Sequence, residues 1–64
     1  MAKVEQNTRD VIARLERDGW RSMGGARHDK FAHPLFPGVR IMVPRHRSLS
    51  LGVALDIAKR AGWM

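Results

Sequence analysis

Between Gly38 and Pro44 the chain alternates without a break: Val39, Ile41 and Val43 fall on one parity, Arg40 and Met42 on the other. Side chains of a strand point to opposite faces in turn, so this segment has one face to bury and one to leave uncovered. The chain is 64 residues long, which suffices for one small core and not for two. Whatever covers the valine–isoleucine face comes from the same short chain. Residues 1–64 are therefore read as a single domain.

Two apolar stripes of helical spacing are available as cover. Val4, Thr8, Val11, Ile12 and Leu15 follow the helical period. Asn7 is placed to cap that helix, Asp10 lies in its first turn, and Gly19 ends it. Residues 1–6 either fray or extend it. A second helix runs from about Leu51 to Ala61, capped by Ser48 or Ser50 and closed by Gly62. Its apolar face is read as Leu51, Ala54, Leu55, Ala58 and Ala61. Between the helices, Trp20–Met23 reads as a short strand before a Gly24-Gly25 turn, and His28–His33 as a second strand ended by Pro34. Pro37-Gly38 is the expected turn into Val39–Val43. The order is helix, three strands, helix: an α+β fold whose three-stranded antiparallel sheet carries both helices on one face. The other face is left for solvent or a ligand.

The charge is unevenly spread. Twelve lysines and arginines against six carboxylates give a net charge of +6. The first 20 residues are balanced, and the excess lies in residues 21–64, where Asp29 and Asp56 are the only acids. Such an imbalance suits a nucleic acid or an acidic protein, and it also serves plain solubility. No glycine-rich phosphate loop is present. With no cysteine, disulfides, thiolate metal sites and thiol catalysis are excluded. Lys3 is not followed by the apolar stretch of a secretion signal, and no apolar run approaches the 18 or so residues of a membrane span. The setting expected is the cytoplasm, with no membrane contact.

Alternation places the candidate chemistry. If Phe31, the large apolar residue of the second strand, faces the helices, then His28 and Lys30 project from the uncovered face. Arg40 joins them from the third strand, with Arg21 and Arg27 close in sequence. A neutral imidazole can take the proton from a ribose 2′-hydroxyl, and cations stabilise the charged phosphorus-centred transition state. Equally, a lone histidine beside basic residues is common on ordinary surfaces. His46, after the third strand, is a candidate acid, and His33 reads as packing at a strand end. Arg45 and Arg47 could meet phosphate or simply lie in a solvated loop. Trp20 and Trp63 could stack on bases but read better as packing anchors. The three histidines show no metal-ligand spacing, so no metal and no cofactor is expected.

The segments share an order with a known family. They run Val11-Ile12-x-x-Leu15-Glu16-x-Asp18-Gly19-Trp20, then Gly25-Ala26-Arg27-His28-x-Lys30-Phe31 and His33-Pro34. Val43-Pro44-Arg45-His46, Gly52 and Ile57-Ala58-Lys59-Arg60-Ala61-Gly62 follow. From about residue 9 to 63 the chain resembles the HicA (YcfA-like) mRNA interferase toxins of bacterial toxin–antitoxin systems. The resemblance implies a double-stranded-RNA-binding-domain-like fold and ribosome-independent cleavage of mRNA by one histidine, for which His28 is the matching position. Together with the placement of the cations, the expectation is a metal-independent endoribonuclease, with Arg21, Arg27, Lys30, Arg40 and Arg45 as RNA contacts and His46 as a candidate secondary acid. The resemblance further implies a HicB-like antitoxin, often acidic, that masks the site, the toxin being a monomer when free and part of a hetero-oligomer when bound. Ala26 stands where the family usually has serine. The alternative expectation is a non-catalytic RNA-binding module that represses translation by occupancy.

Overall fold

A computed structural model describes residues 4–25 and 27–64. Its elements are α1 (Thr8–Arg17), β1 (Arg21–Ser22), β2 (His28–His33), β3 (Phe36–Pro44) and α2 (Leu51–Arg60). The strands form one antiparallel sheet in the order β1-β2-β3. This is the helix–three strands–helix order expected from the sequence, an α+β fold of the double-stranded-RNA-binding-domain kind.

α1 starts where the cap was read. The Asn7 side chain accepts from the Asp10 N–H at 3.1 Å, and Gly19 at φ +97° turns the chain out of the helix. Residues 4–6 lie outside the helix, in no regular element, and lead into the cap. There Gln6 accepts the Leu49 N–H at 2.8 Å and Asn7 bridges to Ser48; residues 1–3 lie outside the described segments. Val11 and Leu15 of α1 pack with Trp20, Phe31, Ile41, Val43, Leu49, Ala54 and Ile57 in one cluster. Ile41 and Val43 are buried while Met42 is half exposed, as the alternation requires.

Three details differ from the reading of the sequence. β1 is only Arg21–Ser22, because Trp20 drops into the core at 2% exposure rather than pairing in the sheet. The reversal between β2 and β3 falls at Pro34-Leu35, not at Pro37-Gly38. His33 pairs with Phe36 and Ala32 with Arg40, so the register shifts and Pro37-Gly38 lies within β3 at an irregularity. The cause is aromatic packing. Trp20 stacks on Phe36 with centroids 5.9 Å apart and meets His33 edge-on at 5.1 Å, which holds Phe36 beside His33 and draws the turn toward Pro34. Third, the buried face of α2 is Ala54, Ile57 and Ala58, while Leu51 is exposed and Leu55 only partly covered. The two stripes share the alanines. Close approach over those small residues lets Ile57 reach the sheet and rotates Leu51 outward.

His33 acts as a tether, in line with its reading as packing. Its Nδ1 accepts the Leu35 N–H at 3.1 Å, and Nε2 lies 2.9 Å from the Asp18 carbonyl oxygen. Nε2 therefore carries the proton and donates. A Cβ on Gly19 would come within 2.7 Å of that nitrogen, so glycine is required there for contact as well as for φ. Both tryptophans anchor the packing: the Trp63 indole N–H donates to Asp18 Oδ2 at 2.7 Å, beneath the Arg14 guanidinium at 4.2 Å.

Candidate active site

Strand pairing sets out the uncovered face in rows. Arg21, Ala32 and Arg40 form one row, Lys30 and Met42 the next, and His28 and Pro44 the last. Met23 extends the middle row, its N–H donating to the Lys30 carbonyl at 2.6 Å. Lys30 and His28 are exposed, and Phe31, the residue after Lys30, is buried at 1%, as alternation demands. The cations do not all surround one point. Rows two residues apart along a strand are separated by about 7 Å, so Arg21 and Arg40 stand roughly 13 Å from His28. One phosphate at His28 reaches Lys30 but neither of those arginines. Arg40 is also bent back, its Nη1 donating to the Pro37 and Val39 carbonyls at 2.9 and 3.0 Å.

His28 instead looks onto a groove of about 280 Å³ at the far end of the sheet. His46, Pro44, Ser48, Ser50 and Val53 line it too, so the sequence-read acid and base share one concavity. The His28 and His46 imidazoles are both exposed, and among the described residues none hydrogen-bonds either ring. The start of α2 forms one wall. Ser50 caps that helix by accepting the Val53 N–H at 3.2 Å, and the positive end of the helix dipole faces the groove. Sequence reasoning found the capping serines but gave them no part in a site; the signal was their position directly after the His46 loop.

The loop leading into His28 is held by Arg45. Its Nη2 donates to the Gly25 carbonyl at 2.7 Å and to Asp29 Oδ1 at 3.1 Å, where the two side chains form an ion pair. Arg45 thus lies on the Asp29 side of β2 and grips the chain on both sides of His28. Gly25 is the second constraint: its φ is +142°, and a Cβ there would collide with the His28 carbonyl oxygen. Only glycine lets the loop lie against the first residue of β2. Arg27 is exposed at the bend just before His28; the reading of Ala26 falls outside the described residues. Among the described residues no group of three His, Asp or Glu side chains converges to hold a metal ion, and no helix is long and apolar enough to cross a membrane.

A family model described as the HicA toxin of bacterial toxin–antitoxin systems matches residues 8–63, from the first residue of α1 to the tryptophan beyond α2. No curated protein matches the chain at a significant level.

Proposed function

Since the chain belongs to the HicA toxin family, and so is the toxin of a toxin–antitoxin pair, we propose that it is a metal-independent endoribonuclease. Its substrate is mRNA and its place of action the cytoplasm. The observation that carries this reading is the single groove shared by His28 and His46. Neutral His28 takes the proton of a ribose 2′-hydroxyl, and the freed oxygen attacks the adjacent phosphorus. The bond from phosphorus to the 5′-oxygen of the next nucleotide breaks, and protonated His46 gives that oxygen its proton. The products are a 2′,3′-cyclic phosphate and a 5′-hydroxyl. Lys30, one pair along the strand, and the positive end of α2 stabilise the extra charge on the phosphoryl oxygens. Arg27 adds a cation at the rim. Arg21 and Arg40 serve as more distant contacts for the strand, and Arg45 positions the loop. Two unassisted imidazoles supply about 10²–10⁴-fold each, which describes a slow enzyme.

The groove also explains control. An antitoxin that covers it excludes RNA, and the net charge of +6 favours an acidic partner bound as a hetero-oligomer, the free toxin being a monomer. The test is incubation of the purified protein with single-stranded RNA in EDTA. Cleavage is expected, and His28→Ala, its fold checked by circular dichroism, is expected to lose at least about 10²-fold in rate. RNA that is bound but left uncut by the unaltered protein would instead identify a module acting by occupancy.

A further inference from the structure

The His46 loop has a second side. Beyond the groove it borders a larger, polar cleft of about 570 Å³ at the start of α1, lined by Asn7, Arg9, Asp10, Arg45, His46 and Arg47. The two concavities meet at His46, which lines both. A strand with its scissile phosphate between His28 and His46 would have this cleft directly beyond His46.

The cleft is a built feature. The Thr8 N–H donates to the Arg47 carbonyl at 3.1 Å, and the Thr8 hydroxyl donates to the His46 carbonyl. These bonds fasten the His46-Arg47 loop to the first turn of α1, with Thr8 itself only 9% exposed. Arg9 and Arg47 are thereby presented from two segments whose backbones are joined. Their charges are also uncommitted. Arg45 is paired with Asp29, whereas among the described residues neither Arg9 nor Arg47 has a carboxylate within ion-pairing distance. Asp10, the one acid in the lining, lies in the first turn of α1, where the helix dipole favours it. The lining offers no large apolar anchor of the sort that dominates protein–protein contacts. Guanidinium groups around a polar floor match phosphodiesters, the usual positioning contacts of a nucleic-acid-binding protein.

We propose that Arg9 and Arg47 form a second phosphate subsite, holding the RNA strand on the His46 side of the scissile bond. This rests on the endoribonuclease reading for the direction of the strand, but RNA binding at the cleft is measurable without cleavage. The probe is a single-stranded oligonucleotide with 2′-deoxy substitutions that prevent cutting, titrated by fluorescence anisotropy across a range of NaCl. For the Arg9→Gln/Arg47→Gln double variant the slope of log K against log[salt] is expected to shrink by about 1.4, two contacts at about 0.7 each. With cleavable RNA, KM is expected to rise about 10²-fold, two charge-assisted contacts at about tenfold each, with kcat within about threefold of the unaltered protein. Arg17→Gln/Lys59→Gln, which removes one exposed cation from the last turn of each helix, controls for net charge and should change neither quantity. An unchanged slope and KM in a folded Arg9/Arg47 double variant would overturn the subsite, as would equal losses from Arg17→Gln/Lys59→Gln. Weakened binding of the antitoxin with RNA binding intact would also overturn it, in favour of a protein-docking cleft. If the unaltered protein never cuts RNA but the slope still shrinks, the subsite stands and the nuclease reading falls.

Discussion

Arg45 illustrates how one guanidinium is committed to holding a loop in place. A phosphate contact is satisfied by any cation, but the bonds to the Gly25 carbonyl and Asp29 need the fixed fork of arginine. Arg45→Lys is therefore expected to leave RNA affinity close to normal while lowering kcat about tenfold, read by comparing anisotropy with steady-state cleavage. Full kcat in the lysine variant would return Arg45 to the role of a phosphate contact. The two histidines divide their work in a way that the leaving group resolves. With His46 giving a proton to the leaving oxygen, its loss matters only while that atom needs a proton. His46→Ala is expected to lower cleavage of ordinary RNA about 10²-fold, but to cut a substrate with a 5′-bridging sulfur, which leaves as an unprotonated thiolate, at close to the unaltered rate. Equal losses on both substrates would mean that another group, or water, protonates the leaving oxygen. His28 and Lys30 were legible as partners on one face because alternation fixes a strand's parity. The grip of Arg45 was not, since nothing in Val43-Pro44-Arg45-His46 says that the side chain bends back across β2.

At the scale of elements, local signals and tertiary contacts part company. Asn7 and Ser50 caps, and the glycines that end both helices, were readable because capping involves only neighbouring residues. The β2–β3 connection was not, because Pro37-Gly38 has the stronger turn composition and loses to a contact between Trp20 and Phe36, far apart in the chain. His33 joins that contact to α1 through the Asp18 carbonyl. His33→Ala gives up two hydrogen bonds at about 1 kcal/mol each. It should lower the melting midpoint by roughly 8–16 °C for a domain of this size. Calorimetry checks this, and because His33 lies at the opposite end of β2 from His28, cleavage by the folded variant at low temperature should persist. A melting midpoint unchanged within a degree or two would show that the tether carries no stability. The face of α2 was misjudged for a related reason: two stripes sharing alanines differ only in which large residue meets the sheet, and that depends on the partner surface.

For the whole molecule, the division of labour follows from covering a sheet on one side only. Both helices bury their stripes on the Phe31–Ile41–Val43 face, so Arg21, His28, Lys30 and Arg40 are displayed on the other, and the loops at one end close around the His28 groove. The charge excess in residues 21–64 belongs mostly to this face and its rim, which is why composition pointed to a polyanion before any geometry was known. Composition could not show that Arg21 and Arg40 stand two rows away from His28, or that the balanced N-terminal part contributes Arg9 to a cleft beside His46. If the antitoxin covers the groove, antitoxin and RNA compete. Adding the cognate antitoxin should release bound RNA and stop cleavage in proportion to occupancy, as followed by anisotropy. Simultaneous binding of both would place the antitoxin elsewhere.

Chemistry at the cut end reports on the ribose oxygen that His28 is held to activate. RNA incubated with the unaltered protein in EDTA should carry 2′,3′-cyclic phosphate and 5′-hydroxyl termini by mass spectrometry, with none formed by His28→Ala. Fragments ending in 3′-hydroxyl and 5′-phosphate, or cyclic ends persisting in the His28 variant, would contradict the account.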